Sequence, residues 1–153
     1  MLVEACTFLT LKVVGTSMLP LIHPNDRIVV EPLHCIREPI EKKDVILFRS
    51  GIDKFPLVKT VHATEGDSLK VNITRNTGEI LVNGREITTS NGRKFSLSAA
   101  RSRMIKLYEG TLNPSTFLVM GEQTGGTNDS SRIGLIHKDD VIGRVLEINR
   151  PQN

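Results

Sequence analysis

Tryptophan is missing from this 153-residue sequence, and the only other aromatic rings besides histidine are five phenylalanines and one tyrosine. So few rings cannot build the stacking platforms on which single-stranded nucleic acids are held. An excess of one charge is also missing. Lys and Arg outnumber Asp and Glu by 20 to 17, a formal net charge of +3 with both signs spread along the chain. That excludes the concentrated basic footprint of a dedicated nucleic-acid binder and leaves only a mild attraction to anionic surfaces. No apolar run reaches the ~20 residues that span a bilayer. The most apolar N-terminal stretch, Ala5 to Val14, is short and carries Lys12, and it lacks the basic start and small-residue end of a cleavable leader. Cysteine is scarce too. Cys6 and Cys35 have neither C-x-x-C spacing nor flanking metal ligands; they allow at most one internal disulfide, and two buried or free thiols is the plainer reading. Neither a metal nor a cofactor is expected.

What is present is short β-branched runs between polar or Gly/Pro breaks. Arg27 to Val30, Asp44 to Phe48, Leu57 to Val61 and Phe117 to Met120 each read as a strand. Glu79 to Val82, Asn83-Gly84 and Arg85 to Ile87 read as a hairpin, because Asn-Gly supplies the positive φ angles of a two-residue turn. Asp140 to Ile148 alternates as a closing strand, with Gly143 a candidate bulge. One helix is expected, over Leu97 to Tyr108, where Leu97, Ala100, Met104 and Leu107 recur at helical spacing. The chain therefore reads as a mainly β, antiparallel sheet or barrel-like domain with little helix. Its length suits a single domain over residues 1–153, with residues 90–116 a candidate cap or excursion.

Three segments carry candidate chemistry. In Val13-Val14-Gly15-Thr16-Ser17-Met18-Leu19-Pro20 a serine hydroxyl sits where a strand breaks off; an isolated serine there is usually a turn residue bonding its own backbone. In Leu57-Val58-Lys59-Thr60-Val61, 42 residues after Ser17, a lysine interrupts an apolar strand, and Asp53 is the only acid between Phe48 and Glu65. Strand lysines commonly face solvent. A desolvated, unpaired lysine would instead lose basicity from its usual ~10.4 toward neutrality, as a general base requires. Ser-Lys is an accepted variant of the Ser-His-Asp arrangement. The third segment runs from Met120-Gly121-Glu122-Gln123 through Gly125-Gly126-Thr127-Asn128-Asp129-Ser130-Ser131-Arg132.

Taken in order, Gly-Thr-Ser-Met-Leu-Pro, Pro-Asn-Asp-Arg-Ile-Val-Val, Lys-Lys-Asp-Val-Ile-Leu-Phe, Val-Lys-Thr-Val, Val-Asn-Gly and Val-Met-Gly-Glu leading to Asn-Asp-Ser resemble the motif series of type I signal peptidases. The resemblance extends from about Val13 to Val145. It implies that Ser17 is the nucleophile, that Lys59 takes its proton, and that the Ser17 backbone NH is one oxyanion donor. Many relatives have a serine at the place of Gly15, so Thr16 or a water would supply the second donor; a missing one costs ~3 kcal/mol. Thr127 stands where relatives use a serine to orient the lysine. Glu122-Gln123 replaces Asp-Asn, and Thr60 replaces a common arginine, a change that makes Lys59 harder to deprotonate. Arg132 lies one place later than the family arginine, and an Asp129–Arg132 support pair is expected. Met18, Leu19, Ile22 and Val58 are the candidate walls of the substrate pockets.

The resemblance further implies endoproteolysis of membrane-tethered preproteins after a small residue, with signal peptides as partners. It also implies a membrane-associated, extracytoplasmic location, since relatives usually carry N-terminal anchors. Two rivals share these residues: a catalytically silent β module that binds signal peptides or a partner, and a self-cleaving Ser-Lys protease like the SOS repressors. The latter needs a small-residue cleavage site upstream of Ser17, where only Ala5-Cys6 is found. Gly121 to Thr127 lacks the lysine of a phosphate loop. His137 with Asp139 and Asp140 reads as a solvated turn, and His62, three residues from Lys59, belongs on the other face of its strand.

Overall fold

The structure is a computed structural model that describes residues 5–152. A curled, antiparallel half-barrel sheet of seven strands forms the larger part. Its strands are β1 (Leu9–Lys12), β2 (Arg27–Pro32), β3 (Val45–Phe48), β4 (Leu57–Ala63), β10 (Thr116–Met120), β11 (Ile136–His137) and β12 (Val141–Asn149), in the order β1-β2-β12-β3-β4-β10-β11. The strands between β4 and β10 in the chain are β5 (Ser68–Thr74), β6 (Thr77–Val82), β7 (Arg85–Glu86), β8 (Leu97–Ser98) and β9 (Gly110–Thr111). They form a second sheet, β7-β6-β5-β9, with β8 also paired to β6. The described residues also form two α-helices, α1 (Ala99–Lys106) and α2 (Ser130–Ile133), and two short 3-10 turns, Leu33–Cys35 and Lys138–Asp140.

The expected strands are present. The Asn83-Gly84 turn has φ of 52° and 81°, the doubly left-handed turn whose twist suits the strands it joins. Gly143 sits at a register shift of β12 against β3, and a Cβ there would run into the Glu31 carbonyl of β2. Only glycine lets β2 approach so closely. The chain between β4 and β10 carries all the strands of the second sheet and α1. β5 carries the alternation expected of a half-buried strand: Leu69 and Val71 are buried while Ser68, Lys70 and Asn72 are exposed.

The helix falls inside the expected segment, capped by the Ser98 side chain, which accepts from the Arg101 amide. Its buried face is different. Leu97 belongs to β8, Leu107 is 77% exposed, and the residues turned inward are Ser102 and Ile105. Gly78 of β6 explains the serine: a Cβ there would overlap the Ser102 side chain, so helix and strand are in contact where only small groups fit.

Three apolar clusters fill the interior. One lies in the second sheet and reaches the main sheet through Ala63, Leu118 and Met120. One lies around Ile46, Phe48, Val61, Phe117 and Val119. The third, around Met18, Ile22, Ile28, Val30 and Leu47, underlies the Ser17 loop. Burying one such side chain fully contributes about 1.5–3 kcal/mol, so the loop that bears Ser17 rests on a floor that stabilises it. Cys6 and Cys35 are joined by a disulfide with Cα atoms 5.6 Å apart, which corrects the expectation of two separate thiols. The pairing became visible only when antiparallel β1–β2 pairing folded the residues preceding β1 back toward the turn that follows β2.

Candidate active site

β1 ends at Lys12, and the chain then leaves the sheet. The Val13 amide donates to the Asp26 carbonyl and the Asn25 amide to the Val13 carbonyl, closing residues 13–26 into a loop. Asp26, fully buried, accepts from the His23 amide and from Nε and Nη2 of Arg150. The Arg150 bonds are the main cause holding its carboxyl below the usual carboxylate range, against the opposing effect of burial. Met18 and Ile22 pin the loop to the core beneath it. Ser17, between these anchors, is half-buried, and its amide carries no hydrogen bond among the described residues.

β4 brings Lys59 to this loop. Its Nζ lies 2.7 Å from the Ser17 Oγ, to which the ammonium donates. Lys59 is 2% exposed and has no other hydrogen-bond partner among the described residues. Desolvation lowers its pKa from the ordinary 10.5 to about 8, opposed by the charges of Asp129 and Asp53. At that value a usable fraction of the amine is neutral near pH 7–8.

Thr127, expected to orient the lysine, donates its hydroxyl to Asp129 Oδ2 at 2.8 Å. Asp129 is fully buried and accepts five bonds, from the amides of Gly121, Thr127 and Ser131 and from the hydroxyls of Thr127 and Ser131. Gly121 permits this: a Cβ would overlap the Thr127 side chain. The expected Asp129–Arg132 pair does not form. Arg132 is exposed and donates to the Asn128 side chain, because the one-residue displacement turns it outward on α2. Arg101 of α1 approaches instead, donating to the Thr127 carbonyl and the Ser131 hydroxyl.

Glu122 faces the opposite side of β4. Its carboxylate, fully buried, accepts from the Thr60 hydroxyl at 3.0 Å and from the amide and hydroxyl of Ser90. Its own amide donates to the Ser17 carbonyl. The two departures at Thr60 and Glu122 therefore meet: a short uncharged donor is matched by an acid one methylene longer. Gln123 donates to the carbonyls of Leu19 and Thr16. His62 touches Phe95 edge-on, and its Nε2 is shielded and unpartnered. Burial lowers its pKa to about 4, against the pull of Glu122 and Asp129, so the ring is neutral at pH 7.

A cleft of about 580 Å³ opens over Ser17 and Lys59. Leu11 to Gly15 wall one side and Asp53 to Val58 the other, with Met18, Ile28 and Leu47 also lining it. Of the candidate pocket residues, Met18 and Val58 line the cleft. Leu19 and Ile22 do not: Ile22 is wholly buried in the cluster below, and Leu19 is drawn toward Gln123. Thr16 is exposed beside the nucleophile, and Gly15 has φ 85°, a region a serine enters only with strain. Among the described residues one group of metal-ligand types occurs, Cys6, His34 and Cys35, with ligand atoms within 4.8 Å. The two sulfurs are bonded to each other and present no thiolates.

Sequence reasoning missed the parts played by Arg101, Ser90 and Asp53. None of the three lies in a motif with the residue it serves, and Asp53 reaches the site by accepting from Asn128 Nδ2 of the Asn-Asp-Ser motif at 3.3 Å.

The chain is similar to the inactive signal peptidase IA of Staphylococcus aureus strain COL, at 24% identity over 86% of this chain and 72% of that protein. It is 23% identical, over the same shares, to the protein of that name from strain MRSA252. Its fold is similar to a signal peptidase I crystal structure from Enterococcus faecalis V583, with a TM-score of 0.52 at 17% identity over 72% of this chain and 98% of that one. The family model for signal peptidase, peptidase S26, matches residues 1–148, and with that match spanning nearly its whole length the chain belongs to the signal peptidase family.

Proposed function

We propose that the chain is an active serine endopeptidase that removes signal peptides from membrane-tethered preproteins, cutting after a small residue. The observation that carries this reading is the 2.7 Å contact between Ser17 Oγ and a buried Lys59 whose pKa is lowered to about 8. The neutral amine accepts the Ser17 proton as Oγ attacks the scissile carbonyl. The Ser17 amide, free of internal bonds, donates to the forming oxyanion, with the exposed Thr16 hydroxyl or a water as second donor. The Lys59 ammonium then protonates the leaving amine, and the amine so regenerated activates the water that hydrolyses the acyl-enzyme. An extended substrate lies between the Leu11–Gly15 and Asp53–Val58 walls as an added strand. Residues 1–153 act together as one catalytic domain.

The family is membrane-associated, and no helix among the described residues is long and apolar enough to cross a bilayer. Signal peptides presented at the extracytoplasmic membrane face are the partners this reading requires. A second reading has one observation in its favour: the similar proteins from S. aureus are named inactive. A silent module would bind signal peptides without cutting them.

The test incubates the purified chain in detergent micelles with a peptide carrying an apolar helix and an Ala-x-Ala site, with Ser17→Ala and Lys59→Ala as controls. Cleavage after the second Ala, abolished in both controls, is expected. Binding without cleavage by the folded wild-type chain would favour the silent module.

A further inference from the structure

Among the described residues, Arg101 is the guanidinium that reaches the turn around Asp129 from outside the motifs. It comes from the first turn of α1, in the segment between β4 and β10, and α1 packs on α2 just past Asp129. Its Nη1 donates to the Thr127 carbonyl at 2.6 Å and to the Ser131 hydroxyl at 2.8 Å, the two ends of the turn that wraps Asp129. Both of those residues donate to the Asp129 carboxylate, so one hydroxyl separates the guanidinium from the acid. The space it occupies is reserved. Gly126 has φ 91°, and a Cβ there would lie 2.8 Å from Arg101 Nη1 and 2.9 Å from the Ser131 Oγ. Arg132, the arginine of the motif itself, is turned out to solvent.

We infer that Arg101 is a positioning residue for the Ser17–Lys59 pair, supplied by the inserted sheet's helix in place of the arginine that the motif displaces outward. It clamps residues 127–131 around Asp129 and sets the strength of the negative charge that faces Lys59. The second sheet is thereby coupled to the base. The catalytic part of the inference rests on the proposed Ser-Lys reading; the effect on Lys59 protonation does not.

The charged groups around Lys59 define the expected sign. Asp129 and Asp53 face it and favour its protonated form. Lys54 lines the same cleft, while Glu122 and the neutral His62 lie behind β4. Removing the positive charge behind Asp129 leaves the acid less opposed, so Lys59 holds its proton to higher pH.

The experiment titrates Lys59 by NMR of isotopically labelled lysine, assigned with Lys59→Met, and measures cleavage of the signal-like peptide against pH. Arg101→Ala is expected to move the Lys59 midpoint up by about half a pH unit or more. It is also expected to reduce cleavage at neutral pH ~10-fold or more, since a displacement of ~1 Å in a reacting group can cost ~100-fold. Gly126→Ala shifts the midpoint in the same direction, Arg101→Lys restores part of it, and Arg132→Gln leaves it in place. A midpoint within about 0.2 pH unit of wild type in folded Arg101→Ala overturns the inference. So would an equal shift in Arg132→Gln. If Arg101→Ala does not fold, Arg101→Gln and Gly126→Ala decide by the same criterion. If the wild-type chain cuts nothing, the proposed function fails while the titration still judges Arg101.

Discussion

The acids and the lysine packed around β4 handle buried charge in opposite ways. Asp129, on the Lys59 side, takes five hydrogen bonds and Glu122, behind the strand, three. Lys59 has three protons to donate and, among the described residues, one partner, Ser17. A carboxylate with its oxygens saturated by donors is held in place at little net cost. An ammonium stripped of water without compensation is destabilised toward the neutral amine. The contrast separates rigidity from reactivity: the acids fix the frame, and the base is reactive because its environment serves it badly.

The largest test of that contrast removes the frame. Asp129→Ala leaves five donors facing a void and is expected to destabilise the fold by roughly 3–5 kcal/mol, read by urea denaturation. Lys59→Met is expected to do the reverse. At pH 7 the folded chain carries the cost of a lysine lowered from 10.5 to about 8, up to ~3 kcal/mol, so the variant should be more stable than wild type while losing all cleavage. A Lys59→Met chain less stable than wild type would break the comparison. The linkage has a definite sign. Between pH 8 and 10.5 the unfolded lysine holds a proton the folded one has released, so wild-type stability rises with pH across that window, and cleavage rises through about pH 8.

Smaller changes sharpen the contrast. Thr60→Val removes one of the three donors to Glu122, and a loss of ~1–2 kcal/mol is expected with the Lys59 midpoint little changed. Arg150→Ala should cost less than ~1 kcal/mol, because that guanidinium is half exposed. Its signature lies in acid. The Asp26 carboxyl, held low mainly by Arg150, contributes stability that is present above the usual carboxylate range and disappears as pH falls through its lowered value. The variant should lose that dependence in acid denaturation curves.

How much of this was readable beforehand followed the range of the interactions. The β-branched runs and the Asn83-Gly84 turn are local patterns, and the strands they predicted are there. Ser17 and Lys59 were readable only through motif order, because no local rule says that residues 42 apart will touch. The helix was found in its segment but on the wrong face. A glycine across the gap, Gly78, chose Ser102 for burial over an apolar neighbour, and periodicity cannot see across a gap. Arg101 and the Cys6–Cys35 bond are separated from their partners by 26 to 30 residues, with nothing in the intervening chain to announce them.

Ala63 at the end of β4 and Leu118 in β10 are paired neighbours in the main sheet. Everything between them therefore leaves and returns through one doorway. Such a segment can change length without breaking the strand pairing at its doorway. Yet Ser90 holds Glu122 and Arg101 holds the turn around Asp129, so a change of length that moves either residue is felt at the far side of the doorway.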